Sequence, residues 1–181
     1  MSFADDVIDK VVISEDQISN RVRELGTQIT RDYQDTGVHL IAVLKGSVAI
    51  LADLLREIQV PVTVDFLAIS GYAPATGHAG TVRLIKDLEQ NVQGRPVLIV
   101  EDIVDTGLTL SYIVRTLRAR QPASLNILTF LDRPYRRLVD LPIAYVGFVI
   151  PDQFVIGFGL DYQERYRNLP FIATLKPGLI D

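Results

Sequence analysis

Short runs of consecutive apolar residues recur along the chain and are separated by polar stretches. Residues 40–44 and 97–100 are two such runs, and uninterrupted apolar runs of this length are typical of strands buried on both faces. The same spacing rules predict further strands at residues 62–69, 82–88, 125–131, 145–150 and 154–158.

Apolar residues spaced every three or four positions predict three helices. Ser14 and Gln17 form the sequence of a capping box, and the apolar spacing after them predicts a helix to about Tyr33. Residues 48–58 and 110–117 predict two more. Strands that alternate with helices imply an α/β fold, with a parallel sheet covered on both faces. Ligands of such sheets bind beyond the carboxyl ends of the strands.

Length and composition narrow the class of protein. The chain has 181 residues and a formal net charge of −4, so we expect a single domain over residues 1–181 and no nucleic-acid partner. It has no cysteine, which excludes disulfides, thiolate metal sites and a cysteine nucleophile. Without a signal peptide or a long apolar run we also expect a cytoplasmic protein with no membrane partner.

Residues 96–110 carry the clearest chemistry. Glu101 and Asp102 follow a predicted strand, and the run from Asp105 to Thr109 opens a predicted helix. Backbone N–H groups at a helix start attract phosphate, and carboxylates accept hydrogen bonds from sugar hydroxyls. This pattern predicts a sugar-phosphate site. The structural alternatives are an acidic pair that solvates a strand end and a threonine N-cap.

This segment resembles the phosphoribosyl-pyrophosphate (PRPP) motif of type I phosphoribosyltransferases. Further matches follow in chain order and make the resemblance closest to the hypoxanthine-guanine phosphoribosyltransferases, at residues 44–47, 85–88, 131–137, 146–151, 154–162 and 166–170. The resemblance implies a twisted, mainly parallel sheet flanked by helices, with a small hood formed by the terminal segments. It also implies transfer of the 5-phosphoribosyl group from PRPP to N9 of a 6-oxopurine in purine salvage, with Mg²⁺ and as a homodimer or homotetramer.

The resemblance also implies roles for individual residues. Asp105 is expected to be the general base at purine N7. The residues expected to bind PRPP are Lys45, Gly46, Tyr72, Glu101, Asp102, Asp105, Thr106, Gly107, Leu108, Thr109 and Arg167. Those expected to bind the purine are Arg133, Phe154, Val155 and Asp161, and those expected to hold Mg²⁺ are Glu101, Asp102 and Asp161.

Taken alone, Phe154, Asp161 and Arg167 fit a structural role better than a functional one. Phe154 suits core burial, Asp161 a turn or N-cap, and Arg167 a surface position, while the pair Arg136 and Arg137 suits a solvated surface or a subunit contact. The stretch at residues 70–81 is rich in small residues, which fits a mobile lid or a surface loop.

The chain departs from the family pattern at two positions. Arg133 stands where the family has lysine, and Gly71 stands where it usually has serine before the lid tyrosine. The family often has a cis peptide before the residue at Lys45, which the sequence alone does not reveal. Two rival functions remain open: a PRPP-sensing or RNA-binding regulator with this fold, and a phosphoribosyltransferase for another base, such as xanthine or uracil.

Overall fold

The structure, a computed structural model, describes Ala4, residues 6–70 and residues 83–179. Within these residues the elements are β1 (Ile8–Ile13), α1 (Glu15–Asp32), β2 (Val38–Leu44), α2 (Val48–Glu57), β3 (Val62–Ser70), β4 (Arg83–Lys86), β5 (Pro96–Val104), α3 (Leu108–Arg118), β6 (Ser124–Asp132), β7 (Ile143–Val149), β8 (Val155–Ile156) and β9 (Ile172–Leu175). A short 3₁₀ helix at Pro134–Arg136 follows β6.

The predicted α/β fold is confirmed. Six strands form one sheet in the order β4-β3-β2-β5-β6-β7. Five of these strands, β3, β2, β5, β6 and β7, are mutually parallel. The sixth strand, β4, pairs antiparallel with β3 at the edge of the sheet. Successive strand residues face opposite sides, so Leu40 and Leu98 join one hydrophobic core, which includes residues of α1 and α2. Ile41 and Ile99 join the core on the opposite face, which includes residues of α3.

The start of α1 follows the predicted chemistry. Gln17 N donates to Ser14 Oγ at 3.3 Å, and Ser14 N donates to Gln17 Oε1 at 2.9 Å. This confirms the capping box, in which two free N–H groups at the helix start find partners locally. None of the helices in the described parts of the chain is long and apolar enough to cross a membrane.

A second, smaller sheet joins the two ends of the chain. β9 pairs antiparallel with β1 on one side and with β8 on the other. This sheet confirms the expected hood. The sequence pattern did not predict β1, because its apolar residues do not alternate with polar ones, and three of its six residues, Asp9, Lys10 and Val11, are exposed to solvent.

Two strand boundaries predicted from apolar runs are wrong. β5 continues past Val100 to Val104, so Glu101 and Asp102 lie inside the strand, and Glu101 pairs with Thr129 of β6. The backbone ladder continues because it does not depend on side-chain polarity. The strand predicted at residues 154–158 is only Val155–Ile156, since the next residue, Gly157, has a φ of 97°, outside the β region.

Candidate active site

Three neighbouring strands of the sheet end at the same edge. Lys45 follows β2, Asp105 follows β5 and Arg133 follows β6, and these strands are parallel. The carboxyl edge of a parallel sheet is where ligands of such folds bind. Residues far apart in the sequence therefore meet at one place.

The loop between β5 and α3 borders a cavity of about 180 Å³. Its lining runs from Glu101 to Leu110, apart from Leu108. Gly107 is the N-cap of α3, with a φ of 80° and no side-chain cap, so the alternative of a threonine N-cap is wrong. A Cβ at Gly107 would lie 2.9 Å from Arg137 Cδ. Without a side-chain cap, the backbone N–H groups at this helix start are suited to an anion.

Glu101 and Asp102 line this cavity and are partly buried. Glu101 Oε2 is shielded from solvent and has no hydrogen-bond partner. Burial raises the pKa of Glu101 well above its usual range, and the neighbouring Asp102 raises it further. Burial also raises the pKa of Asp102 to about 6, and the charge of Arg167 partly opposes that rise. The pair is therefore not a solvated strand end.

Two glycines allow three chain segments to meet beside Asp102. The turn after β2 begins with a cis peptide between Leu44 and Lys45. A Cβ at Gly46 would lie 1.6 Å from Asp102 Oδ2, and a Cβ at Gly159 would lie 1.9 Å from Gly46 O. The turn after β2, strand β5 and the segment after β8 are therefore in direct contact, and a larger side chain at either glycine would separate them.

A charged cluster lies at this junction. Arg167 Nη2 is 2.8 Å from Asp161 Oδ1, and Arg167 Nη1 donates to Gly159 O at 2.8 Å. Asp161 Oδ2 accepts a hydrogen bond from Glu164 N at 2.9 Å. Asp161 therefore also stabilises a turn, which was the structural role considered for it from the sequence. Lys45 Nζ is 2.8 Å from Glu164 Oε2, and hydrogen bonding to Lys45 lowers the pKa of Glu164.

Arg133, Phe154 and Val155 are three of the residues expected to bind the purine. Arg133 is only 7% exposed. Its Nη2 donates to Gln153 O, whereas its Nε is buried and has no hydrogen-bond partner. Phe154 is 42% exposed, so the alternative of core burial is wrong for it. Its ring meets Tyr162 edge-on, with centroids 6.1 Å apart. Val155 is buried in β8.

The two arginines that follow are also engaged. Arg136 Nε lies 3.0 Å from Asp105 Oδ1, and Arg136 Nη1 lies 3.1 Å from Asp152 Oδ1. Arg137 forms an ion pair with Asp132 that is largely buried, and its Nε donates to Asp105 O at 3.2 Å. Arg137 is therefore not a solvated surface residue, whereas Arg136, which is 44% exposed, lies at the surface and is paired with both carboxylates.

Sequence comparison assigns the chain to a family. The phosphoribosyl transferase domain family matches residues 14–163. The chain belongs to this family. It is 49% identical to the hypoxanthine-guanine phosphoribosyltransferase of Bacillus subtilis over 174 residues, which cover 96% of this chain and 97% of that protein.

Solved structures of the same kind share its fold. A hypoxanthine-guanine phosphoribosyltransferase from Bacillus anthracis matches with a TM-score of 0.89 and 47% identity, over 93% of this chain and 99% of that one. A hypoxanthine phosphoribosyltransferase from Staphylococcus aureus matches with a TM-score of 0.91 and 44% identity, over 96% and 95% of the two chains. The fold expected from the resemblance is thus confirmed.

The geometry brings most of the predicted site residues to one edge of the sheet. Tyr72, Gly71 and most of the stretch at residues 70–81 lie outside the described residues. Sequence reasoning missed Glu164 and the pairing of Arg136 with Asp105. No periodicity or spacing distinguishes Glu164 or Arg136 from other charged residues in the sequence. Their partners, Lys45 and Asp105, come from other parts of the chain.

Proposed function

We propose that this protein transfers the 5-phosphoribosyl group from PRPP to N9 of hypoxanthine and guanine, with release of pyrophosphate. The observation that carries the proposal is the arrangement at the end of β5, where Glu101, Asp102, Asp105 and the start of α3 border one cavity. The family membership of the chain and the names of its similar relatives support the same activity. IMP and GMP are the products, as in purine salvage.

The part of the site around β5 suits the sugar phosphate. Glu101 and Asp102 would accept hydrogen bonds from the ribose 2′ and 3′ hydroxyls. The loop of Asp105, Thr106, Gly107, Leu108 and Thr109 would surround the 5′-phosphate with N–H and hydroxyl donors, and the cavity of about 180 Å³ is bordered by this loop. These contacts would hold the sugar still while the bond to pyrophosphate lengthens and positive charge develops on the ring.

The charged cluster suits the leaving pyrophosphate. Backbone N–H groups at Lys45 and Gly46 and the guanidinium of Arg167 would donate to its oxygens. Arg167 contacts Asp161 and Glu164. Binding of PRPP would therefore exchange carboxylate partners for phosphate partners at the same cation.

The acids fit a magnesium site that needs further ligands. Asp161 lies close enough to Asp102 to raise its pKa, yet nowhere in residues 6–70 and 83–179 do three acidic or histidine side chains converge. This suits Mg²⁺, which takes many of its oxygen ligands from water and from substrate phosphates. One or two of the carboxylates of Asp102, Asp161 and Glu101 would bind the ion together with water and substrate oxygens, and the bound ion would neutralise charge on the pyrophosphate.

Asp105 would remove the proton from the purine. Its side chain is 38% exposed, and Asp105 lines the cavity as the first residue of the phosphate loop. As N9 of the purine attacks C1′, Asp105 would accept the proton from N7. Phe154 would stack on the base, Val155 and Asp161 would contribute backbone groups, and Arg133 would donate to the 6-oxo group.

A panel of nucleobases tests the proposal. The protein is incubated with Mg²⁺ and PRPP and with hypoxanthine, guanine, xanthine, adenine or uracil, and nucleotide and pyrophosphate are quantified. We expect turnover with hypoxanthine and guanine. Turnover with uracil alone would instead support a pyrimidine enzyme. Tight PRPP binding without turnover of any base would support the rival regulatory function.

Arg133→Lys is expected to raise KM for hypoxanthine roughly 3–10-fold with little change in kcat, as loss of one hydrogen bond of about 0.5–1.5 kcal/mol would. The guanidinium contacts Gln153 O while its Nε keeps a donor free, and lysine lacks that planar fork. Steady-state kinetics measure the change, with exposed Arg118→Lys as the control. An unchanged KM would remove Arg133 from purine recognition.

A cytoplasmic location and a homodimer or homotetramer stay predictions. Size-exclusion chromatography with light scattering would measure the oligomeric state directly.

A further inference from the structure

One guanidinium bridges the two loops that border the proposed purine site. Arg136 Nε lies 3.0 Å from Asp105 Oδ1, on the loop before α3. Arg136 Nη1 donates to Asp152 Oδ1 at 3.1 Å, two residues before Phe154. The proposed base and the proposed stacking ring thus lie on segments that share a cation.

The backbone that carries Arg136 is tied to the same two loops. Leu138 N donates to Thr106 O at 2.9 Å, within the phosphate loop. Tyr135 OH donates to Ile150 O, at the end of β7. Because the residues on both sides of Arg136 are anchored in this way, its side chain starts from a defined position relative to both carboxylates.

The contact with Asp105 has an unusual form. Asp105 Oδ1 is shielded from solvent and accepts no hydrogen bond, although Arg136 Nε is 3.0 Å away. The N–H bond of Arg136 is therefore not directed at this oxygen. A guanidinium stays charged at any physiological pH, so it attracts the carboxylate at the shielded Oδ1. The rest of the Asp105 side chain, which is 38% exposed overall, is left to meet a purine N7–H.

We propose that Arg136 is a positioning residue, which holds the Asp105 carboxylate towards the purine and ties it through Asp152 to the segment carrying Phe154. This inference rests on the proposed function, because it assigns a task to Asp105 in phosphoribosyl transfer. It does not require Arg136 to touch either substrate.

Because the three side chains are partly exposed, the loss of Arg136 should affect the catalytic rate and the thermal stability to different extents. Arg136, Asp105 and Asp152 are 44%, 38% and 60% exposed, and ion pairs this exposed contribute little to folding. A misplaced catalytic group, in contrast, can lose a large factor in rate. Removing Arg136 should therefore change turnover much more than thermal stability.

The first experiment compares Arg136→Gln, Arg136→Lys and the exposed control Arg118→Gln. We expect Arg136→Gln to lower kcat for hypoxanthine about 10-fold, with KM for PRPP unchanged. Its Tm should stay within about 2 °C of the parent. Arg136→Lys should recover part of the loss, since it retains the charge. An unchanged kcat in Arg136→Gln, or a Tm loss that accounts for the lower rate, would overturn the proposal.

The second experiment is a double-mutant cycle with Asp105→Asn. If Arg136 acts through Asp105, Arg136→Gln should cause no further loss of kcat in the Asp105→Asn background. The same 10-fold loss in both backgrounds would show that Arg136 acts independently of Asp105 and would overturn the proposal. Near-normal turnover in Asp105→Asn itself would instead remove the base role within the proposed function, and the positioning role with it.

The Asp152 arm is tested separately. Asp152→Asn keeps the shape of the side chain and removes its charge. We expect a higher KM for hypoxanthine, about 3-fold as for an exposed pair, and a kcat that falls less than in Arg136→Gln. Unaltered KM and kcat would overturn the link to the segment of Phe154.

Discussion

Asp105→Asn is expected to lower kcat roughly 10²–10⁴-fold, the range typical of a lost general base, while KM for PRPP changes little. The asparagine amide has nearly the same shape, so the phosphate loop should keep its form. It cannot accept a proton from purine N7, however, and its NH₂ group could face the N7–H as a second donor. The loss should therefore fall on the chemical step.

Single-turnover measurements with enzyme in excess over PRPP would isolate that step. Asp140→Asn is a matched control, because Asp140 is an exposed acid in the segment between β6 and β7 and has no proposed role. If Asp105→Asn turned over at the parental rate, or lost only PRPP affinity, Asp105 would serve binding and another group would remove the proton.

Asp102→Asn is expected to change stability and activity in opposite directions. Burial raises the pKa of Asp102 to about 6, so its ionised form is disfavoured in the folded protein. Replacing it with a neutral amide of the same shape should raise the free energy of unfolding by on the order of 1–3 kcal/mol near neutral pH. Asparagine Oδ1 can still accept from Ile103 N, which lies 2.7 Å from Asp102 Oδ1.

The sign of the pH dependence follows from proton binding. The folded protein holds the Asp102 proton more tightly than the unfolded chain does, so this group lowers stability as pH rises from about 4 through about 6. The advantage of Asp102→Asn should therefore be largest above about pH 6 and vanish in acid. Thermal unfolding in EDTA at about pH 4 and about pH 8 measures it, and an equal gain at both would contradict the cause.

The same substitution should impair the enzyme. We expect kcat/KM for PRPP to fall roughly 10–100-fold, as loss of a charge-assisted hydrogen bond of about 1.5–3 kcal/mol would cause. A destabilising carboxylate that is retained for binding is a common feature of functional sites. Parental kcat/KM combined with higher stability would show that Asp102 does not contact the ribose or its metal ion.

The periodic helices and strands could be predicted from the sequence, but the ends of strands β5 and β8 could not be located from it. The capping box at Ser14 and the buried strands at residues 40–44 and 97–100 follow from neighbours along the chain. The continuation of β5 through Glu101 and Asp102 depends on pairing with β6, and apolar spacing carries no signal for it. The exposure of Phe154 likewise depends on what packs around it.

By itself, the sequence determined the α/β fold, the order of the motifs and the residues brought to one edge of the sheet. Hydrophobic periodicity and the local chemistry of turns and helix starts depend only on residues that are close together in the sequence. The burial that raises the pKa values of Glu101 and Asp102 could be found only in the tertiary structure. The same holds for the contacts of Arg136 with Asp105 and Asp152. Burial and ion pairing between distant segments depend on how the strands and loops pack together, which no local pattern in the chain records.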